Sequence, residues 1–258
     1  MVMNCADTLA GKNAVIVGGA GRIGSAVGRA FVQCGASIAL VDRRKDALER
    51  VVSECDEIRP GACGFYAVDL EFYEDCEKLA VAVERSMGPV DILINCPGGI
   101  YRAPFLEYPI EQLDALFNVN VRLVFMLCQA FGKKMVDRRS GKIINIASVG
   151  GVYPEAAHSG YCAAKAALIA FSKVAALELA EHNVQVNLIA PGPTETVPFS
   201  SSFYLDHPEE LQNVESQTPM GRIGHPEDHI GLAVFLASDA SAWITGQIIM
   251  SDGGLSLA

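Results

Sequence analysis

A doubly wound α/β domain, with a mostly parallel seven-stranded sheet flanked by helices, is the fold class this chain predicts. Three observations lead there. Short apolar runs alternate with helical patterns along all 258 residues. The runs are almost continuously apolar, as strands covered on both faces must be. The first of them ends in a glycine cluster that opens a helix, the local form of a phosphate-binding turn. A chain of this length can bury one substantial core, so a single domain over residues 1–258 suffices.

The strands are "AVIV" at 14–17, "SIALV" at 37–41, "GFYAV" at 64–68, "DILI" at 91–94, "KIINI" at 142–146, "QVNLIA" at 185–190 and "QIIM" at 247–250. Helices are expected between them at about 23–34, 45–57, 72–87, 109–138, 161–182 and 226–238. The β-α-β order gives a parallel sheet with crossover helices. Residues 191–225, opening with "PGPTETVPFSSSFYLDHPE", break the periodicity and read as an irregular segment covering a site, with Phe199, Phe203 and Tyr204 as covering side chains. The helix in "YCAAKAALIAFSKVAALELAEH" is apolar beyond one stripe. It should be buried on most sides, one face on the sheet and another on a neighbouring helix or a second subunit.

Half of the residues are hydrophobic and the formal net charge is −10, which fits a soluble globular protein and argues against a nucleic-acid partner. Arg43, Arg44 and Lys45 form the only run of three basic residues and read as a solvated helix start. The opening "MVMNCADTLAGKN" has no basic leader with an apolar core. No uninterrupted apolar stretch reaches the roughly 18 residues of a membrane span. A cytoplasmic protein without a membrane partner is expected. The eight cysteines include no C-x-x-C pair, so reduced thiols and no metal site are expected.

The turn "GGAGRIG" can be read in two registers. Gly19, Gly21 and Gly24 fit G-x-G-x-x-G, whereas Gly18 with Gly24 fits a related pattern in which Arg22 takes a glycine's place. In either, small residues permit a tight turn and the free amides at the helix start attract a pyrophosphate. Asp42 ends the second strand, 23 residues after Gly19. A carboxylate there accepts hydrogen bonds from both ribose hydroxyls and repels a 2′-phosphate, which favours NAD over NADP. Arg22, Arg43 and Arg44 argue the other way, since each could meet a phosphate. Asp69, after the third strand, reads either as an adenine contact or as a helix N-cap.

Tyr161 and Lys165 stand four residues apart, on one face of a helix. A phenol with a pKa of about 10 is a poor base at neutral pH, but a nearby lysine cation stabilises the phenolate and lowers that value. Lys165 could also bind nicotinamide-ribose hydroxyls. Ser148, in "INIASVGG", follows the fifth strand at the carboxyl edge where α/β sites gather, and its hydroxyl could hold the reacting oxygen.

From about residue 9 onward the chain resembles the short-chain dehydrogenases/reductases. The resemblance lies in the glycine turn, "NCPGG" from Asn95, "NVNV" with Asn120, "NIAS" with Ser148, "YCAAK", "APGPTET" from Ala190, "PMGRIGHPED" from Pro219 and "TGQIIMSDGG" from Thr245, in that order. It implies a Rossmann-type fold and a catalytic tetrad of Asn120, Ser148, Tyr161 and Lys165, with Asn120 holding a water near Lys165. It also implies that Asn95 closes the cofactor pocket, that Pro191, Gly192 and Thr196 lie beside the nicotinamide, and that the Ile189 backbone approaches its carboxamide. With these, the expected cofactor set is Gly18, Gly21, Arg22, Ile23, Asp42, Arg43, Asp69, Leu70, Asn95, Pro97, Gly98, Tyr161, Lys165, Pro191, Gly192, Thr194 and Thr196.

Around Ser148 and Tyr161, the substrate candidates are Val149, Tyr153, His158, Phe199, Phe203 and Tyr204. Their bulk suggests a compact, partly apolar substrate; His158 either meets a polar or anionic group or is structural. The resemblance further implies a homotetramer or homodimer, with helices 109–138 and 161–182 across an interface. The chain departs from the family pattern at Val17, Arg22, Cys96, Pro97, Leu123 and Ala164, and Pro97 has no amide hydrogen to donate. The expected reaction is reversible NAD-dependent hydride transfer between a secondary alcohol and its ketone. The alternatives are an NADPH-dependent ketone or 3-oxoacyl thioester reductase and a catalytically idle dinucleotide-binding sensor or assembly protein.

Overall fold

In the computed structural model, which describes residues 7–196 and 207–257, each expected apolar run is a strand. These are β1 (Asn13–Val17), β2 (Ser37–Asp42), β3 (Cys63–Ala67), β4 (Ile92–Asn95), β5 (Gly141–Ile146), β6 (Val184–Pro191) and β7 (Ile248–Ser251). They pair in the order β3-β2-β1-β4-β5-β6-β7, every pair parallel. The helices are α1 (Arg22–Gln33), α2 (Lys45–Ile58), α3 (Tyr73–Met87), α4 (Ile110–Phe117), α5 (Leu123–Asp137), α6 (Ser159–Leu179), α7 (Pro208–Gln217) and α8 (Ile230–Ala237).

The period-two alternation of strand side chains divides the core into two layers. Ala14, Ile16, Ile38, Leu40, Ile92 and Ile94 meet Phe31 of α1, Leu48 of α2 and Val234 of α8. Val15, Val17, Ala39, Val41 and Leu93 meet Leu79 of α3, Phe131 of α5 and Leu168 of α6. Phe31 and Leu48 are fully buried, each contributing about 1.5–3 kcal/mol relative to exposure. Because all strands point the same way, Val17, Asp42, Asn95, Ile146 and Pro191 end along one edge. The chain reverses its direction of winding between β1 and β4, which opens a crevice at that edge.

Two expected elements take a different form. The helix expected over 109–138 is interrupted by a π-helical turn at Asn118–Arg122. In an α-helix the Leu116 carbonyl would accept from the backbone of residue 120; here the Asn120 side-chain amide donates to it at 3.0 Å, satisfying the carbonyl while the backbone register slips. The segment 191–225 is not irregular throughout, since it contains α7. That helix carries Pro208 in its first turn with Glu209 and Glu210 behind it, both favourable at a positive helix end. Phe199, Phe203 and Tyr204 lie outside the described residues.

Among the described cysteines, Cys55, Cys63, Cys76, Cys96, Cys128 and Cys162 are free thiols. Cys34 departs from the expectation of reduced thiols, being disulfide-bonded. Among the described residues, the helical stretch Ile110–Asp137 alone is long and apolar enough to cross a membrane, and half of its most apolar window is buried inside the protein. The helix expected to be buried on most sides meets the sheet at β6 and the neighbouring helices α4 and α5, and keeps one side open in the single chain. Ala163, Ala166, Ala170, Val174 and Leu177 form an exposed stripe along α6.

Candidate active site

The glycine turn runs from the end of β1 into α1, and its geometry decides between the two registers. Gly18 has φ +77°, and a Cβ there would lie 2.5 Å from the Cys96 carbonyl oxygen. A Cβ on Gly24 would collide with the Gly18 carbonyl oxygen. Gly21 is extended, with φ −75°, so its conformation does not require glycine. The pair Gly18 and Gly24 therefore shapes the turn, with Arg22 between them.

No side chain caps the α1 N-terminus and its first turn has no acidic residue. The amides at Arg22 and Ile23 thus form an uncapped, positively polarised helix end. This cradle suits a diphosphate. Arg22 leaves it toward the segment after β6, where its Nη2 is 3.2 Å from Glu195 Oε1, and its Nε is buried without a partner.

Asp42 lies at the carboxyl end of β2, beside the turn. Its Oδ2 accepts from the Ala20 amide at 3.3 Å, and Arg44 donates Nε to Oδ1 and Nη2 to Oδ2, both at 3.0 Å. Burial pushes the Asp42 carboxyl up, but the hydrogen bonds and charge of Arg44 outweigh it and hold the group below its ordinary value. Arg43 is exposed, as is Asp69. The N-cap of α3 is Phe72, so the N-cap reading of Asp69 fails. Leu70 is buried in the core.

Ser148 follows β5 and opens a 3-10 turn at Val149–Gly151, its Oγ accepting from the Gly150 amide at 3.1 Å. One helical turn separates Tyr161 and Lys165 on α6, with Lys165 Nζ 5.8 Å from the centre of the Tyr161 ring. Lys165 is 4% exposed and donates to the Ile146 carbonyl at 2.9 Å. Burial pulls its ammonium down to about 8. Burial pushes the Tyr161 phenol above its ordinary value, with Ser148 hydrogen bonding acting the other way. The expected lowering of Tyr161 by Lys165 is not found. Desolvation dominates both groups, and the ammonium's close partner is a main-chain carbonyl.

Asn120 is fully buried in the π-helical turn, and its amide nitrogen also donates to the Gly99 carbonyl at 3.1 Å. Its Oδ1 is buried without a partner. A Cβ on Gly98 would lie 3.3 Å from that oxygen and 3.9 Å from Lys165 Nζ. Asn120 therefore presents an open acceptor on the Lys165 side.

Asn95 is brought elsewhere. Its side chain donates to Asn145 Oδ1 at 2.8 Å and lies 3.4 Å from Cys128 Sγ; Asn145 in turn donates to Ser172. It ties β4, β5, α5 and α6 together beneath the crevice instead of closing the cofactor pocket with its side chain. Pro97 and Gly98 follow β4 toward the Lys165 ammonium, and Pro191 ends β6.

Gly192 has no room for a side chain, because a Cβ would lie 2.8 Å from Asp252 Cβ. Thr194 donates its hydroxyl to Gly192 O at 2.8 Å and accepts from His229 Nε2 at 3.0 Å, while His229 Nδ1 accepts from Ser251 at 2.8 Å. Burial holds His229 neutral. Sequence reading missed His229 in this positioning role, because its partners are remote in the chain. Thr196 is half-buried.

On the substrate side, Val149 is half-buried and Tyr153 exposed. His158 is 3% exposed, its ring centre 6.4 Å from that of Tyr161. Arg102, also missed, donates Nε to His158 Nε2 at 2.6 Å. Among the described residues no cluster of metal-ligating side chains occurs.

A family model described as enoyl-(acyl carrier protein) reductase matches residues 18–256. The chain is 36% identical over 248 residues to a 3-oxoacyl-[acyl-carrier-protein] reductase of Thermotoga maritima, covering 96% of this chain and 98% of that one. It is 35% identical over 254 residues to a sorbitol dehydrogenase of Cereibacter sphaeroides, covering 95% and 98%. An NADP-bound solved structure from Beutenbergia cavernae superposes with a TM-score of 0.90 at 31% identity, covering 97% of this chain and 98% of that one. Identity of this degree across nearly the full length of each relative, with the same fold, makes the chain a member of the short-chain dehydrogenase/reductase family.

Proposed function

We propose that the protein is an NAD-dependent dehydrogenase that interconverts a secondary alcohol and its ketone, with Tyr161 carrying the proton. As a family member it is an NAD(P)-dependent oxidoreductase acting on a CH–OH group. The observation that carries the finer reading is the meeting of Ser148, Tyr161 and buried Lys165 at the same sheet edge as the uncapped α1 cradle. Ser148 would hold the substrate oxygen and Tyr161 would take its proton during oxidation or return it during reduction. Lys165 would supply a positive charge beneath the phenol and bind ribose hydroxyls, and Asn120 would offer the next acceptor on the proton's path. The dinucleotide, held by the α1 amides and Asp42, supplies the hydride acceptor.

The preference for NAD rests on Asp42, whose carboxylate stands at the cradle with a main-chain amide as one partner. Arg44 favours the alternative, NADPH-dependent ketone or thioester reduction, because it neutralises that carboxylate and could meet a 2′-phosphate. Asp42→Ala is expected to weaken NADH binding about tenfold or more, the effect of losing charge-assisted hydrogen bonds. It should also narrow the gap to NADPH, since Arg44 loses its carboxylate partner. Fluorescence titration with both reduced cofactors checks this, and equal discrimination before and after would assign specificity to another residue.

The homotetramer reading draws on the exposed apolar stripe of α6 beside Phe125 of α5. Leu177 is 80% exposed, Val174 54% and Phe125 45%. Their alignment along adjacent helices suits a symmetric helix-on-helix contact. Leu177→Glu is expected to reduce the molar mass measured by light scattering at micromolar protein. An unchanged mass would exclude this face as the subunit contact.

A further inference from the structure

The first residue of α1 is tied to the far side of the crevice by a contact that the proton chemistry does not require. Arg22 stands where the family pattern has glycine, and its Nη2 donates to Glu195 Oε1 at 3.2 Å. Glu195 belongs to the segment after β6, and β4 and β5 lie between that strand and β1. The pair thus joins the two flanks of the crevice. Its Glu195 end is firmly seated. The Glu195 amide donates to the Gly224 carbonyl and the Gly224 amide to the Pro193 carbonyl, both at 2.8 Å, while Glu195 Oε2 lies 3.2 Å from His225 Nδ1. Asp228 accepts from the His225 amide at 2.7 Å and from both terminal nitrogens of Arg222 at 2.7 and 2.9 Å, which anchors that turn. The Arg22 end is held loosely. Its side chain is 35% exposed and that of Glu195 40%, and Arg22 Nε is buried without a partner. An ion pair this exposed is weak and an orphaned donor opposes it, so the guanidinium can swing away while Glu195 stays.

We infer that Arg22 and Glu195 form a clasp on the bound dinucleotide, and that the opening of this clasp sets how fast the dinucleotide leaves. The inference rests on the dinucleotide site of the proposed function. A dinucleotide held by the α1 amides and reaching Lys165, whose ammonium sits at the end of β5, runs between the same two flanks that the pair joins. The floor of the cradle offers no way out, because the turn packs directly on the Cys96 carbonyl at Gly18. Departure is toward the side where Arg22 and Glu195 meet. A free guanidinium at this place would act as a phosphate ligand. The Arg22 charge, however, is already balanced by a carboxylate that hydrogen bonding to His225 and Arg22 holds below its ordinary value. A cation so paired adds little net attraction for a diphosphate. What it adds is a link that parts and closes as the dinucleotide passes.

Stopped-flow displacement of NADH by excess NAD, followed by NADH fluorescence, measures the release rate; NADPH and NADP replace them if the protein binds only that pair. Arg22→Met and Glu195→Gln should each speed release about two- to fivefold, the range of an exposed ion pair. The double variant should release no faster than the faster single variant, because both remove one shared interaction. Rising salt should narrow the gap between wild type and variants by screening the pair. If Arg22 is instead a phosphate ligand, Arg22→Met speeds release while Glu195→Gln, which frees the guanidinium, slows it. Those opposite signs would overturn the clasp, as would unchanged rates in both variants or effects that simply multiply in the double variant. A wild-type protein that binds neither NADH nor NADPH in fluorescence titration would overturn the dinucleotide reading itself, a result distinct from any release rate.

Discussion

Tyr161→Phe is expected to lower turnover by about 10²- to 10⁴-fold, the usual contribution of a positioned proton-transfer group, while leaving NADH affinity within a few-fold. The substitution removes one oxygen and keeps the ring that packs between His158 and Lys165. Steady-state rates paired with NADH fluorescence titration separate the two effects, and unchanged turnover would remove Tyr161 from the chemistry. A pH signature should accompany the loss. Burial holds the phenol above its ordinary value, so it is protonated at neutral pH. Alcohol oxidation needs the phenolate, whose fraction grows as pH rises, whereas ketone reduction needs the protonated form. Wild-type oxidation should therefore accelerate toward alkaline pH and reduction should slow, and the phenylalanine variant should lose both slopes.

The strands were legible because burial on both faces leaves an unmistakable apolar run, and β1 through β7 all lie within two residues of their expected bounds. Ser148, Tyr161 and Lys165 could be placed together from residue types and spacings, and they do meet at one sheet edge. What sequence could not resolve were features set by partners far along the chain. The register of the glycine turn depends on the Cys96 carbonyl packed against Gly18. The π-helical turn at Asn120 adds a residue to one helical turn without altering apolar character, so the run over 109–138 looked continuous. The helix α7 was hidden by the neighbouring prolines, although Pro208, Glu209 and Glu210 carry helix-start signals. Arg102 and His229 acquire their roles from His158 and Thr194, respectively 56 and 35 residues away. No local pattern marks such pairs.

Lys165→Met is expected to abolish turnover and yet to stabilise the ligand-free protein at neutral pH. The ammonium is buried and held at about 8, against an ordinary lysine value of about 10.4. The folded state therefore binds the proton less readily than the unfolded chain does. Below pH 8 both states are protonated and the full penalty of burying the charge is present. As pH rises from 8 toward the unfolded value the folded state sheds its proton first, so wild-type stability increases and the penalty disappears. Each unit of pKa difference corresponds to about 1.4 kcal/mol, part of which the Ile146 hydrogen bond offsets once that carbonyl loses its donor. A net gain of about 1–3 kcal/mol for methionine at pH 7 corresponds to roughly 2–8 °C in melting temperature for a chain of this size, and it should diminish steadily between pH 8 and 10. Thermal denaturation of both proteins across that range measures it. A variant no more stable than the wild type at pH 7 would mean that the surrounding dipoles already compensate the buried charge. A gain that fades with rising pH would show that the fold gives up stability to keep a cation beneath Tyr161.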